Sequence, residues 1–200
     1  MELVVATRNK KKLKELKELL SDLSLDIISL SDFPRAPLIE EDGTTFDQNA
    51  IKKAATIALY TGKLTMGEDS GLEVKALGNK PGVYSARFAG EDATDKKNNL
   101  KLLRALRKIP LKKRGARYRC SVALADRHGL ISVVSGSCQG VIGFRSKGKA
   151  GFGYDPLFII EKYNKTFAQL GESVKHTMSH RGRALKKIRS VILQYLQAHP

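Results

Sequence analysis

The sequence predicts a mixed α/β fold. Short β-branched apolar runs alternate with amphipathic helical stretches in the first part, and a long hairpin pattern follows in the second. The chain has 200 residues, 42% of them hydrophobic and 28% charged, which suits one domain or two small lobes sharing a core. That length buries about 70% of the unfolded chain's surface, so no disulfide staple is needed. The composition excludes a mainly disordered chain, a collagen-like repeat and a disulfide scaffold. No apolar run approaches the ~20 residues that span a bilayer. The opening residues lack the basic and then apolar pattern of a secretory signal. A single domain over 1–200, soluble and cytoplasmic, with no membrane partner, is expected.

The elements follow in order. Glu2–Thr7 reads as a short apolar strand. Lys10–Leu20 reads as a helix, because Leu13, Leu16, Leu19 and Leu20 recur at helical spacing among Lys and Glu. Asp26–Leu30 is a second strand, and Ser31–Gly43, with Pro34, Pro37 and an acidic cluster, is a loop. Thr45 caps the next helix and Gln48 completes a capping box. That helix runs to about Tyr60, with Gly62 as its stop. Leu64–Gly67 is a strand, and Glu68–Gly90 is rich in glycine and turn residues. Asp95–Ile109 is a helix closed by Pro110. Tyr118–Asp126 alternates as a strand does, and Leu130–Ile142 answers it across a turn near Arg127-His128. Lys147–Gly153 is a glycine-rich loop and Leu157–Ile160 a strand. Ser179 caps a last helix whose buried stripe is Leu185, Ile188, Val191, Ile192, Tyr195 and Leu196.

Charge points to anionic partners. There are 36 Lys+Arg against 20 Asp+Glu, a formal net charge of +16, so nucleic acid and phosphorylated small molecules come first. From Lys96 to Arg119 eleven residues are basic and none acidic. That run fits nonspecific RNA binding or a solvated helix face. No RNA-binding motif accompanies it and aromatic residues are only 6% of the chain, so no specific nucleic-acid partner is expected. The two cysteines, Cys120 and Cys138, form no metal-spacing motif and are read as free thiols.

Five constellations carry candidate chemistry. Thr7-Arg8-Asn9-Lys10-Lys11-Lys12 follows a strand and opens a helix, which fits a phosphate site or an N-cap with a basic face. Glu40-Glu41-Asp42 and Glu68-Asp69 are acidic clusters in a basic chain, suited to Mg²⁺ or to turn chemistry. Asn49 and Lys53 share one helix face beside small alanines, and Lys53 reads as a snorkelling lysine or as a cation for a phosphate. Gly151-Phe152-Gly153-Tyr154-Asp155-Pro156 offers close backbone approach and an aromatic ring for a base, or a tight turn with a core aromatic. Lys175 with Ser179-His180-Arg181 gathers donors at a helix start, where simple capping is the plainer account.

In this order the stretches ATRNKKKLKEL, EEDGTTFDQNAIKKA, EDSGLEVKALGNKPGVYSARFAG, GFGYDPLF and SHRGRAL resemble the inosine triphosphate pyrophosphatase family, also called XTP/dITP diphosphatase. The resemblance spans Ala6 to Leu185. Gln48 stands where the family usually has Glu, Glu68 where many members have Asp, and Val174 and His176 flank Lys175 where Glu and Asn are common. Gly78-Asn79-Lys80-Pro81 replaces a more glycine-rich turn.

The resemblance implies an elongated, two-lobed α/β structure: a mixed β-sheet flanked by helices, with a substrate cleft between the lobes. It implies a homodimer and Mg²⁺-dependent hydrolysis of ITP, dITP and XTP to monophosphate and pyrophosphate. It assigns Thr7, Asn9 and Lys12, with their neighbours Arg8, Lys10 and Lys11, to the triphosphate. Lys53 and Asp69 would be catalytic, Asp69 as proton acceptor, and Glu40 or Glu41 would bind metal together with Asp69. Ser70 would be a substrate contact. Phe152, Gly153, Tyr154, Asp155, Lys175, His180 and Arg181 would form the nucleoside pocket, with His180 and Arg181 donating to the C6 carbonyl that adenine lacks.

Overall fold

The computed structural model describes residues 1–199, with Glu172 and His176 through their backbone alone. Its strands are β1 (Glu2–Val5), β2 (Asp26–Ser29), β3 (Thr65–Val74), β4 (Gly115–Asp126), β5 (Gly129–Ile142), β6 (Phe158–Ile160) and β7 (Lys165–Thr166). Its helices are α1 (Lys10–Leu19), α2 (Phe46–Thr61), α3 (Asp95–Ala105), α4 (Phe167–Leu170), α5 (Glu172–Met178) and α6 (His180–Ala198). One mixed sheet runs in the order β2-β1-β3-β4-β5-β6-β7. β1 is parallel to both β2 and β3, whereas β6 is antiparallel to β5 and β7. The expected α/β class is the one observed.

The chain divides into two compact units, each built from non-contiguous segments. The first comprises Met1–Asp69, Cys120–Gly136 and Arg181–Pro200, and the second Ser70–Arg119 and Ser137–His180. In the first, Leu16 and Leu20 of α1, Met66 of β3, Val122 and Leu124 of β4 and Ile188 and Ile192 of α6 close one core. In the second, Leu72, Leu102, Leu106, Tyr118, Phe158 and Phe167 close another.

Local chemistry sets the element ends. Thr45 and Gln48 form the expected capping box at the start of α2, and Gly62 closes it in the left-handed region at φ 68°. Asn9 caps α1, its side chain accepting from the Lys11 and Lys12 amides. The β4–β5 hairpin turns at Arg127-His128 as expected. Both cysteines are free and buried.

Two expectations need correction. The strand expected to stop at Gly67 continues to Val74. Glu68 and Asp69 interrupt its apolar run, yet each is only 4% exposed, because partners described below neutralise them. The helix expected to reach Ile109 ends at Ala105. There the Arg114 guanidinium takes the Leu106 and Ile109 carbonyls at 2.7 and 2.8 Å, acceptors that helical amides would leave free because position 110 is proline. The short elements β7, α4 and α5 are too brief to show a period, and none was expected.

α2 lies hard against β3 in the first unit. A Cβ on Gly67 would meet the Ala50 carbonyl oxygen at 2.2 Å and the Ala54 nitrogen at 2.6 Å, both backbone atoms. Only glycine permits that approach, and Ala50, Ala54 and Ala58 supply the matching small face. Gly67→Ala should therefore force the helix from the strand and cost about 1–3 kcal/mol. A lowered urea midpoint at unchanged slope is the expected result, and an unmoved midpoint would contradict the close packing.

Candidate functional site

The first unit holds a buried network of charge on β3. Glu68 accepts from Arg181 at both carboxylate oxygens, from Nη2 at 3.0 Å and from Nε at 3.1 Å. The third guanidinium nitrogen of Arg181, Nη1, pairs with Glu15. Lys12 Nζ lies 3.5 Å from Glu68 Oε1. Burial pulls the Arg181 guanidinium down, but the Glu68 and Glu15 carboxylates more than offset it and hold it above its ordinary value. Burial and the Glu68 charge push the neighbouring Cys120 thiol well up, so Cys120 is an inert core residue at neutral pH.

One residue on, Asp69 meets the face of α2 that carries Asn49 and Lys53. Lys53 Nζ is 2.6 Å from Glu41 Oε1 and 3.6 Å from Asp69 Oδ1, and it donates to the Glu68 carbonyl at 3.1 Å. Asn49 donates to Asp69 Oδ2 at 3.0 Å and accepts from the Gly43 amide at 2.8 Å. A Cβ at position 43 would sit 2.5 Å from that Asn49 oxygen, so glycine brings the acidic loop against α2. The Asp69 carboxyl is raised above its ordinary value: burial raises it most, Lys53, Asn49 and Lys12 oppose, and Glu41 adds to the rise.

The remaining expected phosphate ligands lie at the start of α1. Thr7 accepts from the Asn9 amide at 3.1 Å, and Arg8 donates to the Ala36 carbonyl at 3.3 Å. Lys10 and Lys11 are exposed and Lys12 half-buried. Asn9 occupies the Lys11 and Lys12 amides, so the capacity for an anion here resides chiefly in side-chain cations. Glu40 is exposed while Glu41 is half-buried against Lys53, which separates the two acids that the sequence left equivalent. Glu41 and Asp69 are hard oxygen donors converging on one ammonium, and such donors fit a divalent cation that keeps waters and substrate oxygens as its other ligands. Among the described residues no group of three or more His, Cys, Asp or Glu is gathered to hold a metal ion.

The second unit holds the glycine-aromatic loop. Asp155 accepts from Lys175 Nζ at 2.8 Å, from the Phe152 amide at 3.0 Å and from the Tyr118 hydroxyl at 3.3 Å. Lys175 is 3% exposed, and its ammonium lies 4.5 Å from the Phe152 ring centroid. Burial and then the Asp155 charge push the Tyr118 phenol well up. His180 stacks on Tyr118 at 4.6 Å and 9°. Tyr154 is buried and donates to the Ser85 carbonyl at 2.8 Å, whereas Phe152 is half-buried. Gly153 is held by α3: its amide donates to Asp95 at 2.9 Å and its carbonyl accepts from Asn99 at 2.9 Å. Ser70, half-buried, follows Asp69 on β3.

Two outcomes differ from expectation. Arg181, expected to read a base, has its guanidinium bound by Glu68 and Glu15. Tyr154 serves as a core residue, leaving Phe152 as the ring of that loop able to stack on a ligand. Sequence reading left Glu15, Tyr118, Asp95 and Asn99 out of the site. Asp95 and Asn99 are four apart and so on one helix face, which is the one signal that offered them. The basic run 96–119 also divides. Arg114 is buried on three carbonyls, Arg117 pairs with Glu73 at 2.6 Å, and Lys101 donates to the Phe88 carbonyl. Lys96, Arg104, Arg107, Lys108, Lys112 and Lys113 are exposed.

The Asp69 environment has a consequence for stability. Its folded-state carboxyl holds a proton more tightly than the unfolded chain does. At pH below the unfolded value both states are protonated and the burial cost is absent. As pH rises through that value and on past the raised one, the folded state loses stability. Asp69→Asn removes the ionisation. Without added divalent metal it should melt higher than the parent at neutral pH, with the margin closing as pH is lowered into the carboxylate range. A variant that melts lower at neutral pH would contradict the net cost of this charge.

A sequence model of the Ham1 family matches residues 3–191. The dITP/XTP pyrophosphatase of Desulforamulus reducens is 52% identical over 192 residues, covering 96% of each chain. That of Geobacter sulfurreducens is 50% identical over 183 residues, covering 92% of each. Among solved structures, a HAM1 protein from Coxiella burnetii superposes with a TM-score of 0.89 at 39% identity, over 97% of this chain and 99% of that one. A nucleoside-triphosphatase, dITP/XTP pyrophosphatase, from Mycobacterium abscessus superposes with a TM-score of 0.77 at 40% identity, over 94% and 97%.

Proposed function

The chain belongs to the Ham1 family, and from that premise we propose that it hydrolyses deaminated purine nucleoside triphosphates, ITP, dITP and XTP, to monophosphate and pyrophosphate with Mg²⁺. It is a nucleoside triphosphate pyrophosphatase. The observation that carries the finer reading is the convergence of Glu41, Asp69 and Lys53, fixed by Asn49. The names of the relatives support the substrate class. The expected homodimer in the cytoplasm goes with this reading. No helix among the described residues is long and apolar enough to cross a membrane.

Phosphoryl transfer needs positioning and charge neutralisation more than covalent chemistry. Glu41 and Asp69 would hold Mg²⁺, which when bound polarises phosphate oxygens and offsets their charge. Lys12, Lys53 and the exposed cations of α1 bind the triphosphate, with Thr7 and Asn9 at the same turn. Asp69 orients water and takes its proton. Asn49 fixes the Asp69 Oδ2 atom, so the carboxyl plane is set before substrate arrives. Ser70 adds a hydroxyl contact to the substrate.

The nucleoside falls to the loop Phe152–Asp155 with Lys175 and His180. Phe152 stacks on the ring. Donors from Lys175 and His180 suit the C6 carbonyl of hypoxanthine and xanthine, whereas the amino group of adenine would set donor against donor. Arg181 contributes by holding Glu68 and the start of α6 in place.

With Mg²⁺ and a panel of triphosphates, pyrophosphate release from ITP, dITP and XTP should exceed that from ATP by at least ~10²-fold. Equal turnover of all purines, or orthophosphate as the sole product, would overturn the reading. Asp69→Asn should lower kcat by ~10²–10⁴-fold with its circular dichroism unchanged; retained turnover would remove Asp69 from the chemistry.

A further inference from the structure

We propose that Asp95 and Asn99, one turn apart on α3, are positioning residues that clamp the Gly153 peptide and so orient Phe152 for the base. The proposal rests on the assignment of Phe152–Asp155 to the nucleoside. Gly153 stands between Phe152 and the buried Tyr154, in the left-handed region at φ 62°. Its carbonyl and amide are held from one helix face, by Asn99 and Asp95 respectively, each at 2.9 Å. Residues on both sides are tied down independently: Asp155 accepts from the Phe152 amide, and Tyr154 is anchored on Ser85. The clamp supplies the remaining constraint, on the peptide that follows Phe152.

The character of the two residues supports a role beyond packing. Asn99 is 8% exposed, and its Oδ1 is buried with no hydrogen-bond partner among the described residues. Burying an unsatisfied acceptor is costly, so an apolar side chain would serve stability better there. What the amide provides is its donor to the Gly153 carbonyl. Asp95 is the first residue of α3 after the Thr94 cap, where a negative charge suits the helix dipole. That role needs no particular aim, whereas the bond to the Gly153 amide does.

The test uses the full-length enzyme and three variants. Asp95→Asn and Asp95→Ala lose the same charge at the helix start, but only Asn keeps an acceptor for the Gly153 amide. Asn99→Leu removes the donor and the unsatisfied oxygen together. Amide hydrogen exchange of the peptide spanning 151–155 is read first, without nucleotide. It should accelerate about tenfold in Asp95→Ala and stay within about twofold of the parent in Asp95→Asn. Steady-state kinetics on ITP should show KM raised about tenfold in Asp95→Ala and in Asn99→Leu, with kcat little changed, and Asp95→Asn close to the parent. Asn99→Leu should melt at or above the parent temperature. Unchanged loop exchange in Asp95→Ala would overturn the clamp. Faster exchange with unaltered KM in an active enzyme would overturn its role toward the base. Faster exchange in a protein whose parent releases no pyrophosphate from any purine triphosphate would support the clamp and overturn the proposed function instead.

Discussion

β3 carries two adjacent carboxylates, Glu68 and Asp69, into the interior, and much of the first unit is arranged to meet them. An isolated buried carboxylate is prohibitively costly unless it is paired and hydrogen-bonded. Adjacent residues on a strand point to opposite faces, so the two acids need separate partners. Glu68 draws on Lys12 of α1 and Arg181 of α6, and Asp69 on Asn49 and Lys53 of α2. Three helices are thereby tied to one strand dipeptide, and the apolar cores close around those positions. Gly67, immediately before the pair, lets α2 come near enough for Asn49 and Lys53 to reach.

The second unit repeats the logic with one acid. Asp155 is buried and satisfied by an ammonium, a phenol and a backbone amide. Such a pair contributes little net stability, but removing one partner leaves an uncompensated charge. What it supplies is geometry. Lys175 is fixed against Phe152, and Tyr118 is fixed beneath His180. A Cβ on Gly151 would strike the Asp155 carboxylate at 2.1 Å, so this position is glycine because the acid folds back beneath it.

Features set by neighbours in sequence were legible. The capping box of Thr45 and Gln48, the hairpin turn and the shared face of Asn49 and Lys53 all follow from residues within four positions. Features set by distant partners were not. Glu68 reads as a turn residue until Arg181, 113 positions on, is brought to it, and for that reason β3 seemed to end early. Arg114 likewise reads as one more cation in a basic run, although its guanidinium is buried on the Leu106, Ile109 and Gly143 carbonyls just beyond α3. The resemblance named candidate residues but not their bonding. It could not show that Arg181 is held by two carboxylates or that Tyr154 belongs to the core, because both depend on contacts far along the chain.

The local charge balance differs from that of the whole chain. In a protein of net charge +16, the carboxylates of Glu15, Glu41, Glu68 and Asp69 are met at close range by Lys12, Lys53 and Arg181. These cations are already engaged, so they do not form a surplus waiting for phosphate. A polyanion entering such a network must bring positive charge with it or recruit it from the exposed start of α1, where Arg8, Lys10 and Lys11 lie. That is the electrostatic argument for a divalent cation travelling with the triphosphate. It also explains why overall charge was a poor guide to the substrate. The exposed lysines and arginines of 96–119 can raise encounter rates with any anion, but they do not distinguish one anion from another.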